Sequence, residues 1–121
     1  MSFQIDENKY IEIELEKLSA ISCPCGTTRR AFVDDKDSVA SVHLVDIDEN
    51  ARAHYHKKMT EIYVILDGHG WVECDGEKIP VRPMSAVKIN PNCRHRAIGK
   101  MRILNIAIPA FDASDEWFDR E

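Results

Sequence analysis

The chain has 121 residues, of which 44% are hydrophobic and 31% are charged, and its formal net charge is −5. This length and balance are typical of one globular domain with its own core, so we expect residues 1–121 to form a single domain. The acidic charge, and the lack of any basic run beyond pairs such as Lys57 with Lys58, argue against nucleic acid as a partner.

The cellular location is predicted from the N-terminus and from the apolar runs. The first residues carry no basic stretch followed by an apolar one, and no apolar run approaches the length of a membrane span. We therefore expect a cytoplasmic protein with no membrane partner, whose four cysteines are mostly reduced. We interpret Cys23-Pro24-Cys25-Gly26 as a tight turn with reduced thiols, with soft-metal binding or redox sensing as the alternative.

The N-terminal stretch 9–20 allows two interpretations. Apolar and polar residues alternate from Ile11 to Leu15, as they do in a strand, whereas its glutamates and lysines and Leu18 would suit a short helix. We favour a strand or an irregular lead-in. From Thr27 onward the chain reads as a succession of short strands.

Turn signals separate these short strands, many of which are rich in β-branched and aromatic residues. The predicted strands cover residues 28–33, 39–47, 53–56, 61–66, 71–74, 77–81, 86–89, 94–98 and 103–108. Asp-Gly pairs at 67–68 and 75–76 predict hairpins, because Gly tolerates the positive φ of a type I′ turn. After the strands we predict a short helix with Ser114 as its N-cap. The pattern predicts an all-β sandwich or barrel, such as a jelly roll, with this short C-terminal helix.

Three histidines and one glutamate form the most informative group of side chains, because together they can hold one divalent metal. The group consists of His54, His56, Glu61 and His95. His54 and His56 are two residues apart, so they point to the same face of an extended strand. Glu61 opens the next predicted strand and can return its carboxylate to the two imidazoles. Imidazole with carboxylate suits iron, manganese, nickel, copper or zinc better than calcium or magnesium.

The spacing of these residues resembles the first motif of the cupin family, H-x-H-x(3,4)-E-x(6)-G. The glutamate follows the two histidines at the required distance, and Gly68 completes the motif. The glycine that usually precedes the first histidine is absent, since Asp48 stands in that place. The resemblance covers roughly residues 39–110.

The second cupin motif, a glycine-led strand that ends in P-x-G-x-x-H, is similar to the stretch from Gly76 to His95. Asn90 stands where the motif has proline, and Asn92 stands where it has glycine. Asn ranks next to Gly in its tolerance of a left-handed turn position, so we expect the turn to form.

The resemblance to cupins implies a β-barrel of six to eight strands in which the three histidines and the glutamate bind iron, manganese, nickel or zinc. His95 would lie on a strand distant in sequence and close the site across the lumen. Small cupins are commonly homodimers, often through an N-terminal strand that joins the partner's sheet. Family members include dioxygenases, isomerases and epimerases, decarboxylases and lyases, and also seed-storage proteins and sugar-sensing regulatory domains.

Tyr63 and His43 are the candidate catalytic residues. Tyr63 shares strand parity with Glu61 and should face the lumen, where its hydroxyl could bind substrate or act as an acid; alternatively, it is a core tyrosine. His43 could act as a base near the metal, or it could be a buried histidine with satisfied hydrogen bonds.

Three further polar residues have open roles. Arg29 or Arg30 could reach an anionic substrate, but adjacent strand residues face opposite ways, and we expect salt bridges on the outer surface instead. Asn105 interrupts an apolar strand, so it either faces the lumen near the ligand or clamps the backbone.

For function, we expect an enzyme that uses the bound metal on a small molecule, as a dioxygenase or as an isomerase or epimerase. Three imidazoles and one carboxylate leave positions open on an octahedral metal, where water, dioxygen or a chelating substrate could enter. The alternatives are a non-catalytic module that binds a small ligand, as a sensor or accessory protein, and a metal-free structural barrel. The sequence does not choose among the reactions.

Overall fold

The protein is described by a computed structural model over residues 9–23, 25–33 and 38–119. In this part of the chain, nine strands account for most of the regular structure. The strands are β1 (Ile21–Cys23), β2 (Gly26–Ala31), β3 (Ser41–Ile47), β4 (Thr60–Gly68), β5 (Gly70–Cys74), β6 (Glu77–Val81), β7 (Ala86–Ile89), β8 (His95–Ile98) and β9 (Met101–Ile108). Two short 3₁₀ helices are Leu15–Lys17 and Ala113–Asp115.

The strands form two antiparallel sheets. One has six strands in the order β1-β2-β3-β9-β4-β7, and the other has three strands in the order β6-β5-β8. The core draws on both sheets, with Ile65 and Ile103 from the first and Val72 from the second at 0–1% exposure. The prediction of an all-β jelly-roll barrel is confirmed.

The register of the six-stranded sheet brings four polar residues of four strands into one row. Arg30 of β2 pairs with His43 of β3, His43 pairs with Asn105 of β9, and Asn105 pairs with Tyr63 of β4. Directly paired residues of antiparallel strands lie on the same face of a sheet. All four side chains line a cavity inside the barrel, and we call them the polar row.

Two details of the predicted strands differ in the structure. Residues 53–56 make isolated bridges, His54 with His95 and Tyr55 with Trp117, in place of a strand. The Asp-Gly pair at 67–68 is not a hairpin, because β4 continues to Gly68, which pairs with Met101 of β9, while β5 belongs to the other sheet. The second Asp-Gly prediction is confirmed, since Asp75 and Gly76 have φ of 49° and 87° between β5 and β6.

The N-terminal stretch forms one 3₁₀ turn at Leu15–Lys17, with no strand in the described residues before β1. Side chains of the sheet hold it, since Arg29 Nε donates to Leu18 O at 3.1 Å and Arg102 Nη1 contacts Glu16 Oε2 at 2.7 Å. Of the two forms that we favoured, the structure has the irregular lead-in and not the strand, because these contacts take the place of a hydrogen-bonded ladder.

The C-terminal helix is shorter than expected, a single 3₁₀ turn, and its N-cap is Asp112. Asp112 Oδ1 accepts hydrogen bonds from the backbone N–H and the hydroxyl of Ser114, so the predicted cap residue is itself capped. In the described part of the chain, no helix is long and apolar enough to cross a membrane.

The prediction of reduced thiols was wrong for one cysteine pair. Cys23 and Cys25 are joined by a disulfide, and their Cα atoms are 5.1 Å apart, within the usual range for such bonds. The close approach follows from the tight connection between β1 and β2, where Cys23 pairs with Gly26. Cys74 and Cys93 are free.

Candidate metal centre

The predicted group of three histidines and one glutamate comes together in the barrel, and we call these four residues the metal group. One ligand atom from each of His54, His56, Glu61 and His95 lies within 4.8 Å of the others. Glu61 Oε1 is 3.1 Å from His56 Nε2 and 2.9 Å from His95 Nε2. The four residues are between 1% and 7% exposed.

Backbone carbonyls fix the orientation of the three imidazole rings. His54 Nδ1 bonds to Arg52 O at 3.0 Å, His56 Nδ1 to Asp115 O at 2.8 Å, and His95 Nδ1 to Cys93 O at 2.9 Å. A carbonyl oxygen only accepts, so each Nδ1 carries the hydrogen and donates it. In the neutral rings the lone pair is then on Nε2. This is the arrangement of metal-binding histidines, whose second nitrogen is held by an outer partner.

This orientation fits a cation at the centre. With neutral rings, the lone pairs of His56 Nε2 and His95 Nε2 would both face Glu61 Oε1, which is also an acceptor. A proton or a metal ion between them removes this conflict. Three imidazole nitrogens and a carboxylate oxygen suit a divalent transition metal, so the donor set fits such an ion.

The side chains of the site stabilise the ionised carboxylate that a metal would need. Burial alone would raise the pKa of Glu61, but the hydrogen bonds from His56 and His95 outweigh it and hold that pKa well below its usual range. Burial likewise opposes the charged ring of His56, yet Glu61 raises its pKa. The pKa of His54 falls to about 4, mainly because burial disfavours its charged form. The Glu61 carboxylate is therefore ionised at neutral pH.

Asn105 faces the lumen and holds the second oxygen of the glutamate. Its Nδ2 donates to Glu61 Oε2 at 2.8 Å. Asn105 itself is 7% exposed. Of the two interpretations of this residue, the lumen position is confirmed. The amide leaves Glu61 Oε1 directed at the histidines.

The turn before β8 has the geometry that its sequence predicts. Asn92 has φ of 74°, in the left-handed region, and Cys93 N donates to Asn90 O at 3.3 Å. Asn92 N also donates to His56 O at 2.6 Å. The turn therefore connects the chain that carries His95 to the segment that carries His56.

The C-terminal segment supports the metal group in a way that the sequence analysis missed. The Asp115 carboxylate accepts hydrogen bonds from the backbone N–H groups of Lys57, Lys58 and Met59 at 2.9–3.0 Å. Its carbonyl holds His56. The sequence predicted only a short helix beginning at Ser114, and the fold shows that Asp115 reaches back 56–59 residues along the chain.

A cavity of about 50 Å³ lies beside the metal group and contains both candidate catalytic residues. Tyr63 is 8% exposed, and burial raises its pKa well above 10, so its hydroxyl stays protonated. Burial, reinforced by Arg30, lowers the pKa of His43 to about 4, so its ring is neutral. His43 Nε2 bonds to Ser41 Oγ at 2.8 Å. The cavity therefore offers a phenol donor and a neutral imidazole.

The two adjacent arginines of β2 have different surroundings, and the expectation of outer salt bridges was wrong for one of them. Arg29 makes that contact, with Nη1 at 3.5 Å from Asp46 Oδ2. Arg30 lines the cavity and stacks on Phe111, with its Cζ 4.1 Å from the ring centroid. Strand parity separates the two, and only the barrel shows which one points inward.

A second carboxylate, Glu116, was also missed by the sequence analysis. It lines the cavity, and its Oε2 lies 3.7 Å from His54 Nε2. Burial raises its pKa, against the opposing charges of His56 and Arg30. The fifth histidine, His69, is exposed between β4 and β5 and takes no part in the site.

Solved structures of other proteins share the fold of this chain. A crystal structure of a protein from Planctomyces limnophilus is 42% identical, covers 90% of this chain and 96% of its own, and has a TM-score of 0.85. An uncharacterized protein of Methanocaldococcus jannaschii is 27% identical over 88% of this chain and 93% of its own length.

Another solved structure with the same fold is Pac13, described as a nucleoside dehydratase and also solved, as the Streptomyces protein, with uridine. It is 20% identical, covers 93% of this chain and 92% of its own, and has a TM-score of 0.78. A family model described as the cupin domain matches residues 41–106. The chain belongs to the cupin family.

Proposed function

We propose that the protein is a metal-dependent enzyme that acts on a small molecule, with dioxygenation or isomerisation and epimerisation as its reaction classes. His54, His56, Glu61 and His95 would hold iron, manganese, nickel or zinc. When bound, such a metal acts as a Lewis acid or supports oxygen chemistry.

One observation carries the proposal: three rings are pinned through Nδ1 by backbone carbonyls, and two of their Nε2 atoms meet one buried carboxylate oxygen. A histidine that serves packing alone needs no such common orientation. Burying these polar groups is costly unless they are satisfied, and a cation would satisfy all of them at once.

The cavity supports catalysis over mere metal storage, because polar groups face it beside the metal group. The protonated hydroxyl of Tyr63 could donate to a substrate oxygen, and Glu61 and Asn105 fix the position of the ligand set. His43 provides a neutral ring in the same wall. The likeness to Pac13, a nucleoside dehydratase, adds that this fold is used by an enzyme.

The experiment is a turnover screen of metal-free protein reloaded with iron(II), manganese, nickel or zinc in separate samples. Oxygen uptake is measured on diols and thiols, and isomerisation or epimerisation on small sugars and hydroxy acids. We expect turnover with at least one metal, its loss in Glu61→Gln, and a lower kcat in Tyr63→Phe with metal content unchanged. The matched control is His69→Ala, which changes an exposed histidine.

Two results would speak against the enzyme. Turnover that is equal with and without metal would remove the metal from the reaction. Absence of turnover with every metal, together with ligand-dependent increases in melting temperature, would favour the non-catalytic binding module.

A further inference from the structure

We propose that the cavity binds a small hydroxycarboxylate, with its carboxylate on Arg30 and Thr28 and its hydroxyl on Asn105 at the metal end. This substrate class belongs to the same cavity and therefore rests on the metal-dependent function proposed above.

Unpartnered polar atoms mark where the ligand would bond. Among the described residues, Thr28 Oγ1, Arg30 Nε and Asn105 Oδ1 are buried without a hydrogen-bond partner, and all three residues line the cavity. Thr28 is 1% exposed and Asn105 is 7% exposed. Leaving a buried polar atom without a partner is unfavourable, so three such atoms in one cavity favour a ligand that satisfies them.

The three atoms differ in what they can bond. Arg30 Nε–H is a donor only, and the Thr28 hydroxyl can donate beside it. Asn105 Oδ1 is a carbonyl oxygen and can only accept, and the donor of the same side chain, Nδ2, already bonds to Glu61. A ligand that satisfies these atoms therefore has an acceptor group near β2 and a donor group near β9.

The sheet register orders these groups along the cavity wall. Thr28 and Arg30 are two residues apart on β2 and share a face, roughly 7 Å from each other along the strand. Asn105 lies two strands away in the polar row, next to the metal group through its bond to Glu61. An elongated small molecule could reach from Arg30 to the metal end.

The charge of the cavity favours an anion. Among the described residues, no carboxylate oxygen lies within 4.0 Å of the Arg30 guanidinium, which stacks on Phe111 instead. Burial lowers the pKa of Arg30, and Glu116 opposes this effect. In the loaded site, the metal and Arg30 carry more positive charge than the carboxylates of Glu61 and Glu116 can balance. A monoanion would restore neutrality.

Size and charge select a carboxylate over a phosphate. The cavity of about 50 Å³ holds only a few atoms, and Arg30 is the one lysine or arginine among its described lining residues. A phosphate dianion would need further cations. For the donor group, a hydroxyl is favoured over an ammonium, because an ammonium would add positive charge beside the metal. Arg30 and Phe111 also line an outer groove of about 770 Å³, through which an anion could approach.

The test measures binding rather than turnover. Zinc-loaded protein is titrated calorimetrically with glycolate, 3-hydroxypropionate and 4-hydroxybutyrate, and with their amides and deoxy acids. Inorganic phosphate and β-alanine are titrated in the same way, and bound zinc is measured in each sample. We expect one acid to bind at least tenfold more tightly than its amide and than its deoxy analogue. That binding should weaken about tenfold in Arg30→Gln and several-fold in Thr28→Val, and should stay unchanged in the matched control Arg29→Gln.

The outcomes separate the substrate class from the metal function. Protein that holds zinc but binds the acids equally in wild type and Arg30→Gln overturns the hydroxycarboxylate alone. Tighter binding of inorganic phosphate or of β-alanine than of any hydroxy acid overturns it as well. Protein that binds no zinc overturns the proposed function together with the inference that rests on it.

Discussion

At the scale of single residues, Glu61 owes the orientation of its carboxylate to a neighbour on another strand. Its Oε1 contacts two histidines, and its Oε2 accepts the hydrogen bond from Asn105 Nδ2 at 2.8 Å. With both oxygens engaged, the carboxylate has one orientation. An outer partner of this kind commonly changes metal affinity by about 10–100-fold.

Asn105→Leu should therefore weaken metal binding by about 10–100-fold, because Glu61 Oε2 is left buried without a donor. Competition with a chromophoric chelator measures the affinity. Thr28→Val is the matched control, since it changes another buried cavity residue that makes no contact with Glu61. Equal affinities in the two variants would show that the amide does not position the carboxylate.

His43 should make the metal-free protein less stable as the pH falls from 6.5 to about 4. Its pKa is about 4 in the folded protein against 6.5 for the free group. Between these values the unfolded chain binds a proton that the folded protein does not, so acid favours unfolding. We expect wild type to lose up to about 3 kcal/mol more than His43→Gln over this range, measured by urea unfolding. Parallel pH profiles for the two proteins would contradict this account.

At this scale the sequence predicts the histidines of the metal group better than the polar residues that surround them. Spacing alone brings His54 and His56 to one face, because strand parity is local. Arg30 and Asn105 could not be placed, because their neighbours come from strands 13 and 44 residues away whose register is a tertiary property. Glu116 lies in an irregular segment that follows no periodic pattern.

At the scale of elements, the C-terminal segment fastens the loop that carries His56. Asp115 accepts three backbone hydrogen bonds from residues 57–59, and Tyr55 pairs with Trp117 through two more, each 2.9 Å. Lys57 Nζ also lies 3.8 Å from the Trp117 ring centroid. A segment without a strand of its own thus replaces the sheet partner that residues 53–56 lack.

Asp115→Ala should lower the free energy of unfolding by about 2–4 kcal/mol, because three backbone N–H groups, one buried and two partly buried, lose their acceptor. Urea unfolding of the metal-free protein measures this change. The control, Asp112→Ala, removes an exposed cap and should lower the free energy of unfolding clearly less. If both variants lose the same stability, Asp115 is an ordinary cap and does not fasten the loop.

Local pattern predicts where the strands lie, but it does not predict where every strand ends. The strands 77–81 and 86–89 have the predicted bounds, and Asp75-Gly76 forms the predicted turn, because these features depend on neighbouring residues. The same dipeptide at 67–68 lies inside β4, where Gly68 is required by its positive φ and by the close approach of Lys100 O. Pairing with the partner strand β9 decides whether an Asp-Gly pair forms a turn or lies inside a strand.

At the scale of the whole molecule, β1 is an edge strand of the six-stranded sheet, and no other strand of the described residues pairs with its outer side. Ile21 on β1 is 50% exposed, and Tyr10 and Ile11 before it are 84% and 69% exposed. Exposed apolar edge strands are natural sites for association. We propose that two copies form a homodimer through this N-terminal edge, as the cupin resemblance implies.

Light scattering coupled to size exclusion should then give about twice the chain mass of 13.8 kDa. Ile11→Lys should shift the protein to the monomer, because it places a charge in the apolar contact. Met84→Lys, at a residue that is 79% exposed between β6 and β7, should leave the dimer intact. A monomeric wild type, or a dimer that Ile11→Lys leaves unchanged, would refute this edge as the interface.

The central claim is that the four converging residues bind a transition metal, and elemental analysis tests it most directly. The protein is purified without added metal or chelator, beside His56→Ala and the control His69→Ala. We predict about one transition-metal ion per chain in wild type and in His69→Ala, and a strong loss in His56→Ala. Wild type that holds no transition metal even after reconstitution, or a fully loaded His56→Ala, would contradict the account.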